Sequence, residues 1–392
     1  MKMNSGSSGL PFAAGLLAGT AAGAVWMLAR NYGRGQADRL FDWNQVAAIA
    51  LRTGAQGPSL DSGSRQQIEN EYESILRSIA GPLADYTGTG LDLAHTQVRA
   101  LDRGEWVRAN VANFQHLLAP LEQSWRETAG GGSSNYPGIA ALGRVTLSSE
   151  LGVLLGYLAK RVLGQYDITL LSPETVEPGK LFFVEPNVQG IQLRLGLPKQ
   201  EFRLWLTLHE ATHAHEFEGH PWVRTYMESL LQEYLKLMID QITEGDLSLV
   251  TGATGLANRL ASGQTLMEAA MTAPQHELFL KLQALMTILE GYATHIMSEV
   301  GKNLLPHYQE IEARVESRQH QKGQIELLFL KLTGLQLKFD QYRLGTAFVS
   351  AVERERGHEF LHRVWDGPDE LPTMEEISKP ELWFARIDAL VA

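Results

Sequence analysis

The chain has 392 residues, 44% of them hydrophobic, which is typical of a globular protein with a large core or two packed subdomains. Its formal net charge of −11 argues against nucleic acid as a partner of the protein body. The chain contains no cysteine, so disulfides, thiolate metal ligands and thiol catalysis are excluded. Any bound metal must therefore be held by histidine, aspartate or glutamate.

The N-terminal 40 residues differ from the rest of the chain. Leu10–Ala29 contains no charge and matches the length of one bilayer crossing. Gly15, Gly19 and Gly23 fall on one helical face, the small-residue pattern of helix packing in membranes. Arginines follow this run, which predicts a membrane anchor with the body of the protein in the cytoplasm. A helix packed on the body and a cleaved secretory signal are the alternatives.

Helical patterns dominate the chain as far as the middle, with one Gly/Ser/Pro linker and one flexible loop. The charged, amphipathic segment is predicted to be an exposed helix, and the long apolar segment a buried one. In chain order, the predicted elements are a helix ending near Arg52, the linker Thr53–Ser64, the exposed helix Arg65–Ile79, helices over Leu91–Trp125 with a break near Asp102, the loop Ala129–Pro137 and the buried helix Ile139–Leu163.

The only clear β signal precedes the middle of the chain. Tyr166–Leu171 and Leu181–Glu185 flank a Pro/Gly-rich turn, which predicts a hairpin or two short edge strands. An apolar helical pattern follows over Pro198–Glu218, with a proline suited to its first turn.

This helix contains the pattern HExxH, formed by His209, Glu210, Ala211, Thr212 and His213. Histidines four residues apart lie one above the other on a helix face, so their ring nitrogens can bind one Zn²⁺. The glutamate after the first histidine reaches a metal-bound water and can act as its general base. The sequence therefore predicts a zinc site with Glu210 as the catalytic base.

Downstream, the chain is again predicted to be helical apart from one Gly/Thr/Ser-rich loop. The predicted elements are the helix Trp222–Ile239, the loop Thr243–Gly263, the strong helix Gln275–Val300, and shorter helices at Glu312–Gln321, Ile325–Leu332, Phe339–Arg354 and Gly357–Trp365. The predicted fold is therefore mainly α with a small β element (α+β), zincin-like, with HExxH on a central helix. Residues 41–392 are predicted to form the metallohydrolase domain.

The chain resembles a family of zinc-dependent metallopeptidases of the zincin superfamily from actinobacteria and Chloroflexi. Its members are often labelled as associated with biosynthesis of the deazaflavin coenzyme, a label of association that implies no coenzyme-binding residues here. The resemblance extends from about Phe41 to the C-terminus and implies the zincin fold and a zinc site. The matching segments are FDW at Phe41, LDRGEWVRANV at Leu101, RVLGQYD at Arg161, FFVEPN at Phe182, FRLWLTLHEATHAHEF at Phe202, PWVR at Pro221, LEGYATHIM at Leu289, QYRLGTAFV at Gln341 and LPTMEEISKPELWFARI at Leu371.

The third zinc ligand is less clear than the two histidines. A metzincin would place glycine and histidine where this chain has Glu216 and Gly219, so that pattern does not fit. His215 lies on another face of the helix, and His220 comes one residue too late. A carboxylate from a later helix, as in gluzincins, is the remaining route.

Two glutamates are candidates for that carboxylate. Glu290 lies in an otherwise apolar helix and in the segment that resembles the family's EGHA-type motif. A carboxylate is costly to bury unless a positive charge compensates it, and Zn²⁺ would do so. Glu233 follows His213 at a spacing familiar in gluzincins, but on a surface-like helix. We therefore predict Glu290 as the ligand and keep Glu233 as the alternative.

Other polar residues near these motifs are candidates for supporting roles. Gluzincins often carry an aspartate four residues after the ligand glutamate, and this chain has Thr294 there. Tyr292, His295 or His215 could instead orient a ligand or donate a hydrogen bond to an oxyanion.

These observations predict a zinc-dependent hydrolase that acts on peptide or protein substrates. An amide hydrolase acting on a small metabolite and a non-catalytic, zinc-stabilised interaction protein are the alternatives. A structural zinc site has four protein ligands, whereas a catalytic site keeps one exchangeable position.

Overall fold

A computed structural model describes residues 39–90, 96–129, 137–166, 180–243, 271–320 and 337–391. Helices make up most of the described chain, and the strands form one small sheet, which confirms the predicted fold class. Within the described residues, no helix has both the length and the hydropathy needed to cross a bilayer. Leu10–Ala29 lies outside the described residues, so the membrane anchor stays a prediction.

In the first half of the chain, the described residues form six helices and three strands. The helices before the motif are α1 (Trp43–Gly54), α2 (Ser62–Thr87), α3 (Arg103–Leu117), α4 (Ala119–Ala129), α5 (Pro137–Ala159) and α6 (Glu185–Leu195). The strands are β1 (Gln97–Leu101), β2 (Gly164–Tyr166) and β3 (Lys180–Val184). The loop predicted at Ala129–Pro137 and most of the predicted strand Tyr166–Leu171 lie outside the described residues.

The second half is helical throughout its described parts. Its helices are α7 (Lys199–Glu218), α8 (Trp222–Thr243), α9 (Ala273–Glu299), α10 (Gly301–Leu304), α11 (Tyr308–His320), α12 (Leu337–Arg356), α13 (His358–Leu361), α14 (Met374–Ser378) and α15 (Pro380–Val391), with a 3₁₀ turn at His362–Trp365. The predicted helix Ile325–Leu332 and nearly all of the predicted loop Thr243–Gly263 lie outside the described residues.

The sheet has the order β1-β3-β2. β3 pairs in parallel with β1 and antiparallel with β2, so two strands distant in sequence meet on a common partner. β1 contradicts the prediction of helices over Leu91–Trp125. Its residues alternate in burial, with Val98 and Ala100 inside, because pairing with β3 decides the conformation rather than local propensity. The break predicted near Asp102 is an N-cap, where Asp102 and Glu105 form a capping box for α3.

Two further predictions about burial were wrong. Arg65–Ile79 belongs to the longer helix α2, and it is not an exposed helix, because Tyr72 and Ile79 are fully buried on one face. One of its charged residues, Glu69, is buried as well and accepts a hydrogen bond from the backbone of Ala100. The segment Ile139–Leu163 was predicted to be buried, but the helix ends at Ala159 and leaves Val145 and Val153 about half exposed. Apolar residues occur on both the buried and the exposed face of this helix, so the sequence pattern did not show which face is buried.

The core lies around α7 and α9. The larger cluster of buried side chains joins α2, the sheet, α7, α9, α12 and the C-terminal helices, and a smaller cluster joins α1, α3 and α5. Buried ion pairs also hold α7 in place: the guanidinium of Arg203 contacts Glu71 of α2 and Glu185 of α6. Glu185 accepts a second hydrogen bond from the Tyr72 hydroxyl. The helix that carries HExxH is thus fixed from both sides.

Candidate metal centre

The two motif histidines project from the same face of α7. This helix begins after Pro198, whose extended backbone suits a helix start, and it ends at Glu218, as the sequence predicted. Phe202 and Leu206 precede the histidines on the same side of the helix and are buried, and Leu208 is buried on another side. The side chains of His209 and His213 are 18% and 15% exposed, so the pair is partly accessible to solvent.

Glu290 of α9 faces this histidine pair. Its Oε2 lies 3.9 Å from the Nε2 of His209 and 3.7 Å from the Nε2 of His213. The three ligand atoms all lie within 4.8 Å of one another. Zinc bonds of about 2.0–2.1 Å in a tetrahedron place ligand atoms roughly 3.4 Å apart. A small inward movement of these side chains would therefore allow all three to bind one ion.

The donor set also fits a metal chemically. Two neutral imidazole nitrogens and one carboxylate oxygen are the ligands of many catalytic zinc sites, which leave one position open. Burial lowers the pKa of His209 to about 4, and the nearby His213 reinforces this effect. His209 is therefore neutral at pH 7, the form that binds metal. Glu290 is only 8% exposed on an apolar stretch of α9, where a cation would compensate its charge.

Glu233, the alternative ligand, does not join this group. It lies on α8, and its side chain is exposed. Among the described residues, the only cluster of three or more potential ligand side chains is His209, His213 and Glu290. The structure thus brings together the two motif histidines and the later of the two candidate glutamates.

Glu210 lies against the sheet. It is 6% exposed, and the backbone of Gly164 in β2 approaches it so closely that a Cβ at that position would lie 2.6 Å from its Oε1. Its charge also raises the pKa of His213, which places its carboxylate close to the ligand pair. Only glycine leaves room for this contact. The candidate base is therefore held by β2 next to the histidines.

A residue that the sequence analysis did not assign orients His213. Glu216, one turn further along α7 and 1% exposed, accepts a hydrogen bond from the Nδ1 of His213 at 2.7 Å. Burial lowers the pKa of His213, but the carboxylates of Glu216, Glu290 and Glu210 together outweigh it and raise this pKa to about 9. The hydrogen bond to Glu216 keeps one proton on Nδ1, so a metal ion would displace the other proton and bind Nε2, which faces Glu290. The (i, i+3) spacing of His213 and Glu216 was the available signal in the sequence.

We expect Glu216→Ala to weaken metal affinity by about 10- to 100-fold, because the ring of His213 loses the partner that fixes its orientation and proton. Glu216→Gln keeps an oxygen that accepts the same hydrogen bond, so its loss should be smaller. Competition with a fluorescent chelator measures both affinities. Wild-type affinity in Glu216→Ala would show that the hydrogen bond does not orient the ligand.

The remaining candidate residues, His215, His220 and Tyr292, are not part of the group of three potential ligands. His215 is buried and its Nδ1 lies 3.1 Å from the Thr89 hydroxyl, on another side of α7. His220 stacks on Trp365. Tyr292 is buried, and its ring packs edge-on against Trp365. Burial raises the pKa of Tyr292 and the charge of Glu216 adds to this effect, so the two side chains lie near each other.

His215 gives a pH-dependent contribution to stability. Burial lowers its pKa from 6.5 to about 4, so the unfolded chain takes up a proton at a pH where the folded chain does not. Protonation of this histidine in the unfolded chain therefore lowers the free energy of unfolding as the pH falls from 6.5 towards 4. Well above pH 6.5 this loss of stability is absent. Between pH 7 and pH 5, wild type should lose about 1–2 kcal/mol more unfolding free energy than His215→Gln in urea titrations. Equal losses would contradict this assignment.

The pattern HExxH occurs a second time, at His358–His362, and the sequence analysis did not consider it. These two histidines lie on the short helix α13 and the 3₁₀ turn, with their Nε2 atoms 2.9 Å apart. His358 contacts the Glu353 carboxylate and the backbone oxygen of Tyr86. Within the described chain they belong to no group of three potential ligands. The pattern alone therefore does not create a metal site.

The fold and the site together define a class. A mainly helical protein with a small sheet, a histidine pair with an intervening glutamate on one helix, and a carboxylate from a later helix has the features of a zincin-type metallohydrolase.

The chain belongs to the zincin-like metallopeptidase family, whose profile matches residues 41–384. This confirms the family resemblance found in the sequence, and the family implies a hydrolase that uses a metal. The chain is also similar to a crystal structure from Chloroflexus aurantiacus, described as a proposed hydrolase with a novel fold. The two share 35% sequence identity, with a TM-score of 0.66, over 89% of this chain and 99% of the other. A comparison with curated proteins gives no match.

Proposed function

We propose that the protein is a zinc-dependent peptidase in which His209, His213 and Glu290 hold the metal and Glu210 is the general base. The convergence of the three ligand atoms within 4.8 Å of one another carries this proposal. Two histidines and a glutamate are the protein ligands of the zinc peptidases thermolysin and carboxypeptidase A. The family assignment supports the same class.

Zn²⁺ in this site would polarise the substrate carbonyl and lower the pKa of a bound water. The protein's own contribution is proton transfer and positioning. Glu210 takes the proton of the attacking water as the new carbon–oxygen bond forms. It then passes this proton to the amide nitrogen as the carbon–nitrogen bond breaks, so that a carboxylate and an amine are released. The contact with Gly164 keeps the carboxylate where both transfers occur.

The position of β2 supports an extended peptide as the substrate. In the described part of the chain, β2 pairs only with β3 and thus lies at an edge of the sheet. An extended peptide can add to such an edge through backbone hydrogen bonds. Because Gly164 of β2 touches Glu210, a peptide bound there would pass the catalytic group. We therefore favour peptides or proteins over small amides as substrates and over nucleic acid as a partner.

Metal analysis combined with an unbiased peptide-library cleavage assay tests the proposal. We expect stoichiometric zinc in the purified protein, cleavage of a subset of peptides, loss of cleavage after chelation and recovery when Zn²⁺ is added back. Cleavage of small amides without cleavage of any peptide would support the metabolite hydrolase instead. Tightly bound zinc without any hydrolysis would support a structural metal.

The contact between β2 and the base gives a further prediction. Gly164→Ala is expected to lower turnover of a peptide found in the library by about 10- to 100-fold, because the added Cβ displaces Glu210 from its position. Zinc content should remain at the wild-type level. Gly190→Ala is the matched control, since no atom lies within 4 Å of a Cβ at that helical position. Unchanged turnover in Gly164→Ala would show that this contact does not position the base.

A further inference from the structure

A second group of polar side chains lies where the C-terminal part of α9 meets α12. His295 of α9 is 5% exposed. Its Nδ1 lies 3.4 Å from the Oγ of Ser350, and its Nε2 lies 2.8 Å from the Oε2 of Glu353. Ser350 and Glu353 are one turn apart on α12. A hydroxyl, an imidazole and a carboxylate therefore follow one another within hydrogen-bonding reach.

The hydrogen bonds around this group assign its protons. The Tyr86 hydroxyl donates to the Oε1 of Glu353 at 2.8 Å. Because the Tyr86 proton is used in this bond, its oxygen accepts from the Nε2–H of His295 at 2.8 Å, and the Oε2 of Glu353 lies at the same distance from that nitrogen. This leaves Nδ1 as an acceptor for the Ser350 hydroxyl. Burial lowers the pKa of His295 and keeps the ring neutral. Burial acts to raise the pKa of Glu353, but the hydrogen bond from Tyr86, the nearby His295 and the hydrogen bond from His358 bring the net shift downward, so it is ionised. Ser350 thus faces the lone pair of a neutral base.

Close packing of the two helices creates this arrangement. Gly291 of α9 and Gly345 of α12 meet backbone to backbone, and a Cβ at Gly345 would lie 2.1 Å from the carbonyl oxygen of Thr287. Side chains one turn further along both helices are therefore brought within a few ångströms of each other. Those side chains are His295 and Ser350.

The group opens into a cavity of about 430 Å³. Its lining includes the three side chains together with Ser298, Lys302 and Arg354. A small organic molecule fits a space of this size. None of the three metal-binding candidates lines the cavity, so this is a separate place on the molecule.

We propose that Ser350, His295 and Glu353 form a second hydrolytic centre, which cleaves small carboxylic esters through an acyl intermediate on Ser350. A nucleophile next to a base that is itself oriented by a third group is the arrangement that activates a serine hydroxyl. Here Ser350 is the nucleophile, His295 the base, and Glu353 the carboxylate that holds the base in the required tautomer. Lys302 also lines the cavity, where its ammonium lies 3.6 Å from the Glu299 carboxylate.

The reaction balances with water as the only co-substrate. The Oγ of Ser350 attacks the ester carbonyl carbon while its proton moves to the Nδ1 of His295. The bond between that carbon and the alkoxy oxygen breaks, and His295 returns the proton to the leaving alcohol. A water molecule then attacks the acyl-serine, giving its proton to His295, which passes it to Oγ as the carboxylic acid leaves.

Covalent labelling of the full chain with a fluorophosphonate probe tests this proposal. The probe forms a bond between its phosphorus and an activated serine oxygen and releases fluoride. Peptide mapping should place the label on Ser350, both with and without a metal chelator. Ser350→Ala should lose the label, whereas Ser298→Ala, which removes another hydroxyl from the same cavity, should keep it. His295→Gln should slow labelling by about 100-fold or more, because the base is lost.

The same variants should behave in parallel with 4-nitrophenyl acetate as the substrate, and the far-ultraviolet circular dichroism of each variant checks its fold. A folded wild-type chain that takes up no label on Ser350 would overturn the proposal. So would labelling of His295→Gln at the wild-type rate. A chelator removes zinc from the metal site but should leave the labelling of Ser350 unchanged, so the two sites are tested separately. A failure to label Ser350 would therefore leave the proposed peptidase function unaffected.

Discussion

Glu210→Gln is expected to retain zinc and to lose peptide hydrolysis, with turnover reduced by about 100-fold to 10,000-fold. A glutamine side chain has nearly the same shape, so the contact with Gly164 and the ligand set are preserved. It cannot accept a proton at neutral pH, so the attacking water is no longer activated. Metal content and initial rates on one library peptide measure the two effects separately.

A purified Glu210→Gln variant with wild-type turnover would show that another group is the general base. Loss of zinc in the same variant would show that Glu210 contributes to metal binding instead. The two readouts therefore distinguish a catalytic role from a structural one.

Glu290→Ala is expected to lose the metal during dialysis, with an affinity lower by orders of magnitude. Its Oε2 lies within 3.9 Å of both histidine Nε2 atoms, so its removal takes away one of three protein ligands. Glu233→Ala is the matched control, because this glutamate is exposed on α8. Removal of an exposed carboxylate should change unfolding free energy by no more than about 0.5 kcal/mol and leave zinc in place.

Zinc retained by Glu290→Ala and lost from Glu233→Ala would contradict the ligand assignment. Zinc retained by both variants would show that neither glutamate is needed to hold the metal. Comparing zinc per chain after identical dialysis gives a direct result, and the thermal unfolding midpoint of each variant checks that the chain remains folded.

Local sequence features are sufficient to predict the helix that carries the histidine pair. The spacing of His209 and His213 fixes their common face, and the apolar pattern with Pro198 and the glycine after Glu218 predicted the bounds of that helix closely. These features follow from the 3.6-residue period and from local capping, which depend only on neighbouring residues. The mainly α fold class was predictable for the same reason, since most of its helices are locally encoded.

The side chain that faces those histidines depends on long-range packing. The sequence favoured Glu290 over Glu233 by its apolar surroundings, but their positions relative to His209 depend on how α9 packs. Strand β1 was missed because its conformation comes from pairing with β3, about eighty residues further along the chain. The contact of Gly164 with Glu210 is equally non-local.

The group formed by His295, Ser350 and Glu353 could not be predicted from the sequence for the same reason. No spacing in the sequence connects a histidine of α9 with a serine of α12, because these residues come together only through the backbone contact of Gly291 with Gly345. Periodicity reports which residues share a face of one element. Which faces meet depends on long-range packing, where the fit of distant side chains and backbones decides the arrangement.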